Sequence, residues 1–221
     1  MSHTFSARFI VLDGVEGCGK STQTRLLGEA FAARGCPVVL TQEPGGTSLG
    51  AKLRELLLHG EAQMSALTET FLFCADRAEH VQSMIVPALA AGSTVISDRF
   101  SASTFAYQVW AGEVPTEVFE ALDGTARSGL AQAPGRHGKP LHPDLTIILD
   151  VDPETGRARK AAPGEAQEDN FERRSPAYHA RVREGFLHYA KSLGTAALVL
   201  DAAQRVEALH QEILLATGLS G

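Results

Sequence analysis

The chain is poor in several features that mark whole classes of protein. It has three cysteines in 221 residues, Cys18, Cys36 and Cys74. They are too few and too scattered for a disulfide framework, and they form neither a C-x-x-C pair nor the Cys/His spacing of a zinc site. An odd, sparse count fits a reducing compartment, so the expected location is the cytoplasm. No apolar run approaches membrane-spanning length, and the first residues carry no signal-peptide pattern. Basic residues are not in excess: 20 Lys and Arg stand against 26 Asp and Glu, for a formal net charge of −6. A general polyanion-binding surface is therefore not expected, which argues against nucleic acid and anionic membrane as partners. The single asparagine, Asn170, precedes Phe171, so the N-K-x-D guanine motif of a GTPase switch cannot be written. Internal repeats and low-complexity segments are absent as well.

What remains is a chain with 44% hydrophobic residues, ample for one packed core. Short apolar runs alternate with helical patterns. Strands are expected at Phe9–Leu12, Val38–Thr41, Thr94–Asp98, Leu145–Asp150 and Ala197–Asp201. Helices are expected over Lys20–Arg34, from a cap at Thr47 or Ser48, over Thr68–Ala91, Ser101–Trp110, Thr116–Leu130 and Arg205–Thr217. Strands that are apolar on both faces and separated by helices imply an α/β fold, a parallel five-stranded sheet covered on both sides. Ligands of such sheets bind beyond the carboxyl ends of the strands. Gly14, Glu43, Asp98 and Asp150 all fall there and should gather on one edge. Two stretches break the order. The Pro/Gly/basic run 133–140 reads as an exposed loop, and the small, polar run 161–169 has the makeup of a moving flap or a plain surface loop.

The most informative run is Gly14-Val15-Glu16-Gly17-Cys18-Gly19-Lys20-Ser21, followed by Thr22. It reads G-x-x-x-x-G-K-S between a strand and a helix, the setting that turns the pattern into a mechanism for holding a nucleoside triphosphate. Backbone N–H groups wrap an anion there, and the helix N-terminus adds its positive end. Lys20 would reach the β- and γ-phosphates, and the Ser21 hydroxyl would ligate Mg²⁺. Asp98, ending an apolar strand, is the expected second Mg²⁺ anchor, direct or through water. Arg99 beside it can bind a phosphate through two parallel hydrogen bonds. Cys18 reads as a small residue that fits the loop. Phe73 and Arg77 lie four apart on one helix face, where a ring and a guanidinium could take a planar base between them. Glu43-Pro44-Gly45-Gly46 suggests a rigid turn close to a ligand, with Arg54 on the next helix pointing to the same place.

Together these residues resemble the thymidylate kinases, over nearly the whole chain. The resemblance rests on F-I-V-L-D-G-V-E-G-C-G-K-S-T at 9–22, T-Q-E-P-G-G-T at 41–47, F-C-A-D-R at 73–77, D-R-F at 98–100, S-T-F-A-Y-Q at 103–108 and P-D-L-T-I-I-L-D-V at 143–151. It implies a single three-layer P-loop kinase domain, 1–221, with a small lid at about 157–174. It also implies transfer of the γ-phosphoryl group of ATP to dTMP with Mg²⁺, and a homodimer. By the same resemblance Phe73 would stack on thymine, Arg77 would hydrogen-bond a base carbonyl, and Thr104 and Gln108 would line the base pocket. Tyr107 would sit against the sugar C2′, and Pro44 would close one side of the base. Arg54 and Arg99 would hold the acceptor phosphate. Glu16 would face the 3′-hydroxyl or the metal, and Asp169 and Phe171 would form a hinge-side motif of the lid. Many relatives carry Arg where this chain has Gln42 and Asn170. Relatives whose phosphate loop lacks a basic residue before its lysine usually supply a catalytic arginine from the lid. Arg157, Arg159, Lys160, Arg173 and Arg174 are available here, with Arg159 favoured by position. The rival readings are another small-molecule kinase of the same fold, such as a deoxynucleoside kinase, or a catalytically inactive nucleotide-binding protein.

Overall fold

The computed structural model describes residues 8–128, 139–160 and 169–219. The greater part of the 133–140 loop and of the 161–169 flap lies outside them. Five strands form one parallel sheet: β1 (Phe9–Gly14), β2 (Val38–Gln42), β3 (Thr94–Asp98), β4 (Leu145–Asp150) and β5 (Ala197–Asp201), in the order β2-β3-β1-β4-β5. Every residue of β1 is buried, as a central strand covered on both faces requires. Its neighbours run in register, Leu12 opposite Asp98 on one side and Ile147 on the other. The chain goes to one side of β1 for β2 and β3 and to the other for β4 and β5. The reversal therefore lies at β1, and a crevice opens beyond its carboxyl end.

The helices are α1 (Lys20–Ala33), α2 (Ser48–His59), α3 (Ala66–His80), α4 (Val86–Ala90), α5 (Ser101–Thr104), α6 (Thr116–Ser128), α7 (Pro153–Lys160), α8 (Pro176–Leu193) and α9 (Val206–Thr217). The Thr47 side chain caps α2 by accepting from the Gly50 N–H, and Ser65 caps α3 by accepting from the Thr68 N–H. The helix expected over Thr68–Ala91 is interrupted. A π-helical turn at Val81–Ile85 joins α3 to α4, and Pro87 falls in the first turn of α4, where its missing N–H costs nothing. A second π-helical turn, Phe105–Trp110, continues α5. The main core lies between the sheet and α1, α8 and α9, around Leu12, Leu27, Phe31, Ile147, Phe186 and Ile213. A second cluster, with Phe9, Val11, Val81 and Ile85, seals the other side.

Candidate active site

β1 ends at the phosphate loop. Gly19 stands at the N-cap of α1 in the left-handed region (φ 94°), with no side chain capping the helix. The first N–H groups of α1 thus face the crevice free of a side-chain acceptor, the arrangement that holds phosphate oxygens. Lys20 Nζ donates to the carbonyls of Gly14 (3.1 Å) and Val15 (2.8 Å) and lies 3.5 Å from Cys18 Sγ. Burial pushes the Cys18 thiol up, so it is a packing residue of the loop rather than a reactive thiolate. Ser21 Oγ donates to Asp98 Oδ2 at 2.7 Å. A hydroxyl at the start of α1 and a carboxylate at the end of β3, held together in this way, are hard oxygen donors of the kind Mg²⁺ takes, with phosphate and water completing its shell.

Arg99 follows β3 with φ 74°, a left-handed conformation that a non-glycine residue adopts at a cost. The Arg99 N–H donates to Leu12 O (2.9 Å), and Ser97 Oγ donates to Arg99 O (2.8 Å), which hold it there. Its guanidinium donates to Gly14 O (3.2 Å) and Ser103 Oγ (2.8 Å), pairs with Glu16 and lies over the Tyr107 ring. Beneath it Asp13, fully buried, accepts from the N–H groups of Gly14, Phe100 and Ser103 and from Ser103 Oγ. Burial alone would raise the Glu16 pKa, but Arg99, Lys20, Lys160 and Arg54 outweigh it and bring the carboxyl from 4.5 to about 2.

One continuous cavity of about 780 Å³ runs from this loop to the expected base pocket. All the residues expected to bind nucleotide or metal line it, except Gly14 and Val15, which support the loop from behind. Pro44 follows a cis peptide bond after β2, and Arg54 on α2 donates to its carbonyl at 2.9 Å. Phe73 and Phe171 meet with ring centroids 5.8 Å apart, and Tyr107 stands edge-on to Phe171 at 5.9 Å. Arg77 is only 1% exposed and forms the floor. It pairs with Glu43 (2.9 Å) and Asp123 (2.9 Å), donates to Thr104 Oγ1 (3.1 Å) and lies over the Phe100 ring. Gln108 donates to Glu69 at 3.0 Å. Asp150, expected on this edge, does not line the cavity; it is gripped by Arg183 at 2.7 and 2.8 Å.

The lid side begins at α7. A Cβ on Gly17 would lie 1.9 Å from Gly156 O, and one on Gly156 would lie 2.2 Å from Glu16 O, so loop and helix touch backbone to backbone only because both residues are glycine. Lys160, one turn beyond Gly156 on the same face, contacts Glu172 and lies 3.9 Å from Glu16 Oε2. Arg159 points to a different quarter, donating to the carbonyls of Ala202 (2.7 Å) and Ala203 (3.1 Å). That end of the cavity, continuing through Gln204, Arg205, Val206 and Leu209, carries no recognisable motif and is absent from the sequence reading. Also absent from it are the supports Asp13, Glu69 and Asp123. Asp13 at least leaves a signal, a buried acid closing an apolar strand. Asn170 donates through its backbone N–H to Leu58 O (2.9 Å) and through its amide to Gly60 O (2.9 Å), tying the lid's return arm to the end of α2.

The model of the thymidylate kinase family matches residues 12–213. Thymidylate kinases of Thiobacillus denitrificans and Chlamydia abortus are 40% and 41% identical to the chain, covering 93% and 94% of it and 94% of each relative. That of Pelotomaculum thermopropionicum is 38% identical, covering 95% of this chain and 92% of its own. The crystal structure of thymidylate kinase from Ehrlichia chaffeensis superposes with a TM-score of 0.73 at 29% identity, over 96% of this chain and 98% of that one. A family match over residues 12–213 and relatives about 40% identical along nearly the full length leave one conclusion: the chain belongs to the thymidylate kinase family.

Proposed function

We propose that the cavity holds ATP and dTMP end to end, with their phosphates meeting between the phosphate loop and Arg99. As a member of its family the chain is an ATP-dependent phosphotransferase that converts dTMP to dTDP. The observation that carries the end-to-end reading is the single 780 Å³ cavity, which joins the triphosphate loop to a ring-walled pocket with Arg99 midway. In this reading Phe73 stacks on thymine, and Arg77, Thr104 and Gln108 meet the polar edge of the base. Tyr107 sits against C2′, Pro44 closes the pocket, and Asp169 and Phe171 bring the lid arm to it. Arg54 and Arg99 hold the acceptor phosphate. Arg159 faces the donor's base, between the carbonyls of Ala202 and Ala203.

The attacking atom is an oxygen of a phosphate already ionised near neutral pH, so no strong base is required. Glu16, with its pKa at about 2, is too weak a base to serve as one and instead orients Arg99 and Lys160. The barrier is the approach of two anions. One like-charge pair at about 4 Å and an effective dielectric of ~20 costs roughly 4 kcal/mol. Lys20, Arg99 and the lid cation offset such terms by position, which is most of the work in phosphoryl transfer. The lid cation is assigned to Lys160 rather than Arg159, a choice supported by its 3.9 Å approach to Glu16. Mg²⁺ would be held by Ser21 and Asp98, and would supply further neutralisation of the phosphate oxygens.

Among the described residues, Leu49 and Leu56 of α2 and Leu67 and Phe71 of α3 are exposed. An apolar face of that kind supports a homodimer through these helices, which Phe71→Lys should convert to monomer in sedimentation. Three free cysteines support a reducing, cytoplasmic setting. The function is tested by ADP formation with dTMP, dUMP, CMP, AMP and thymidine as acceptors. Thymine and uracil differ by one methyl, worth about 1–3 kcal/mol, so dUMP should be turned over some 10–200-fold less efficiently. Equal use of dUMP overturns the pocket assignment. Preference for thymidine indicates a nucleoside kinase, and binding without turnover an inactive protein.

A further inference from the structure

We propose that Arg174 is a positioning residue for the acceptor nucleotide, tying the base pocket to the return arm of the lid. This inference rests on the functional reading above. Arg174 leaves the arm just before α8, and its guanidinium reaches the pocket wall along separate paths. One nitrogen pairs with Glu69 of α3, whose other carboxylate oxygen accepts from Gln108 Nε2 at 3.0 Å. Its other terminal nitrogen donates to Tyr178 Oη at 2.7 Å, and that hydroxyl donates to the Tyr107 carbonyl at 2.8 Å, inside the second π-helical turn. The guanidinium also stacks on two rings, 4.7 Å from the Phe171 centroid and 4.7 Å from that of Tyr178. Phe171 in turn closes on Phe73 and Tyr107.

Residues from α3, the π-helical turn, α8 and the lid arm thus share one cation. Glu69 is only 5% exposed, so loss of that cation leaves a nearly buried carboxylate facing Gln108 without its counter-charge. Gln108 and Tyr107 are side chains assigned above to the base and sugar, Phe171 is the ring by which the lid arm meets their pocket, and none of the donor's assigned contacts lies on these paths. The coupling should therefore be felt by dTMP and not by ATP. Holding the arm and the pocket as one piece also means that dTMP, by ordering Phe171 and Gln108, biases the arm toward its docked position.

The experiment is steady-state kinetics on the full chain, varying dTMP at saturating ATP and the reverse, with thermal melting in parallel. Arg174→Ala should raise KM for dTMP about tenfold, with KM for ATP changed by less than about twofold and kcat by less than about threefold. Arg174→Lys, which restores a charge near Glu69 but cannot stack on both rings, should recover part of the loss. Tyr178→Phe keeps the ring and removes the hydroxyl path, so it should raise KM for dTMP less, in the same direction. It decides the question if Arg174→Ala does not fold. An unchanged KM for dTMP, or an equal rise for both substrates, overturns the proposal and leaves Arg174 a purely structural residue. Failure of the wild-type chain to phosphorylate dTMP instead overturns the functional reading itself.

Discussion

Replacing Lys160 by alanine separates two assignments that sequence position leaves open. Its Nζ lies 3.9 Å from Glu16 Oε2, at the junction of phosphate loop and lid. Burial works to lower its pKa, but Glu172 and Glu16 outweigh burial and raise it, so the ammonium stays charged over any practical assay range. A unit positive charge within about 4 Å of a phosphate oxygen there, with an effective dielectric of ~20, would interact by about 4 kcal/mol. Glu172 already neutralises part of it, and only the charge gained between ground and transition state counts, which leaves about 2–3 kcal/mol. Lys160→Ala should then lower kcat about 30–150-fold, with little change in KM for dTMP. Arg159→Ala, removing the contacts to Ala202 and Ala203, should instead raise KM for ATP while kcat stays within a few-fold. A coupled ADP assay on both variants decides between them. If Arg159→Ala loses turnover and Lys160→Ala keeps it, the assignment is reversed and the charge argument fails.

The remaining predictions concern the buried charges. Glu16 titrates at about 2 in the folded chain against 4.5 unfolded. Its stabilisation, up to about 3 kcal/mol, is present above pH 4.5 and lost as pH falls toward 2. Urea midpoints at pH 7 and pH 3 should therefore differ less in Glu16→Gln than in wild type. Asp76 behaves oppositely: burial, then Glu43, raises its pKa from 3.8 to about 6, and its Oδ2 has no hydrogen-bond partner among the described residues. Its favourable contribution is complete below 3.8 and lost as pH rises through about 6, so thermal midpoints should drop between pH 5 and 7 in wild type and not in Asp76→Asn. Arg77→Met leaves Glu43 and Asp123 buried without the cation they share, with only Arg127 remaining beside Asp123 and His80 beside Glu43. A loss of about 3–5 kcal/mol is expected, or roughly 10 °C in the melting midpoint of a chain this size; a shift of only 1–2 °C would contradict the buried-pair account.

The inner strands β1, β3 and β4 were legible because they are buried on both faces and read as apolar runs, and the half-exposed edge strands β2 and β5 because they are still apolar and bounded by helical patterns. The π-helical turn at Val81–Ile85 was not: its buried residues Val81 and Ile85 are four apart, a spacing that an α-helical turn also places on one face. At the site, the phosphate loop, the D-R pair and the pocket aromatics stood out because their chemistry is local. Arg77 was legible, but its partner Asp123, 46 residues away, was not. Nothing in α6 distinguishes that acid from its solvated neighbours until the fold brings it under Arg77. Asp150 was expected only to gather on the ligand edge of the sheet, and nothing near it in sequence reveals that Arg183 of α8 takes its carboxylate.

The backbone contact between Gly17 and Gly156 restricts how closely the lid's first helix and the phosphate loop can approach. With the first turn of α7 already resting on the loop, no further closing movement is available at its base. A methyl group at either glycine would act as a doorstop wedged at the hinge pin, disturbing the grip on triphosphate even though it adds no charge and removes none.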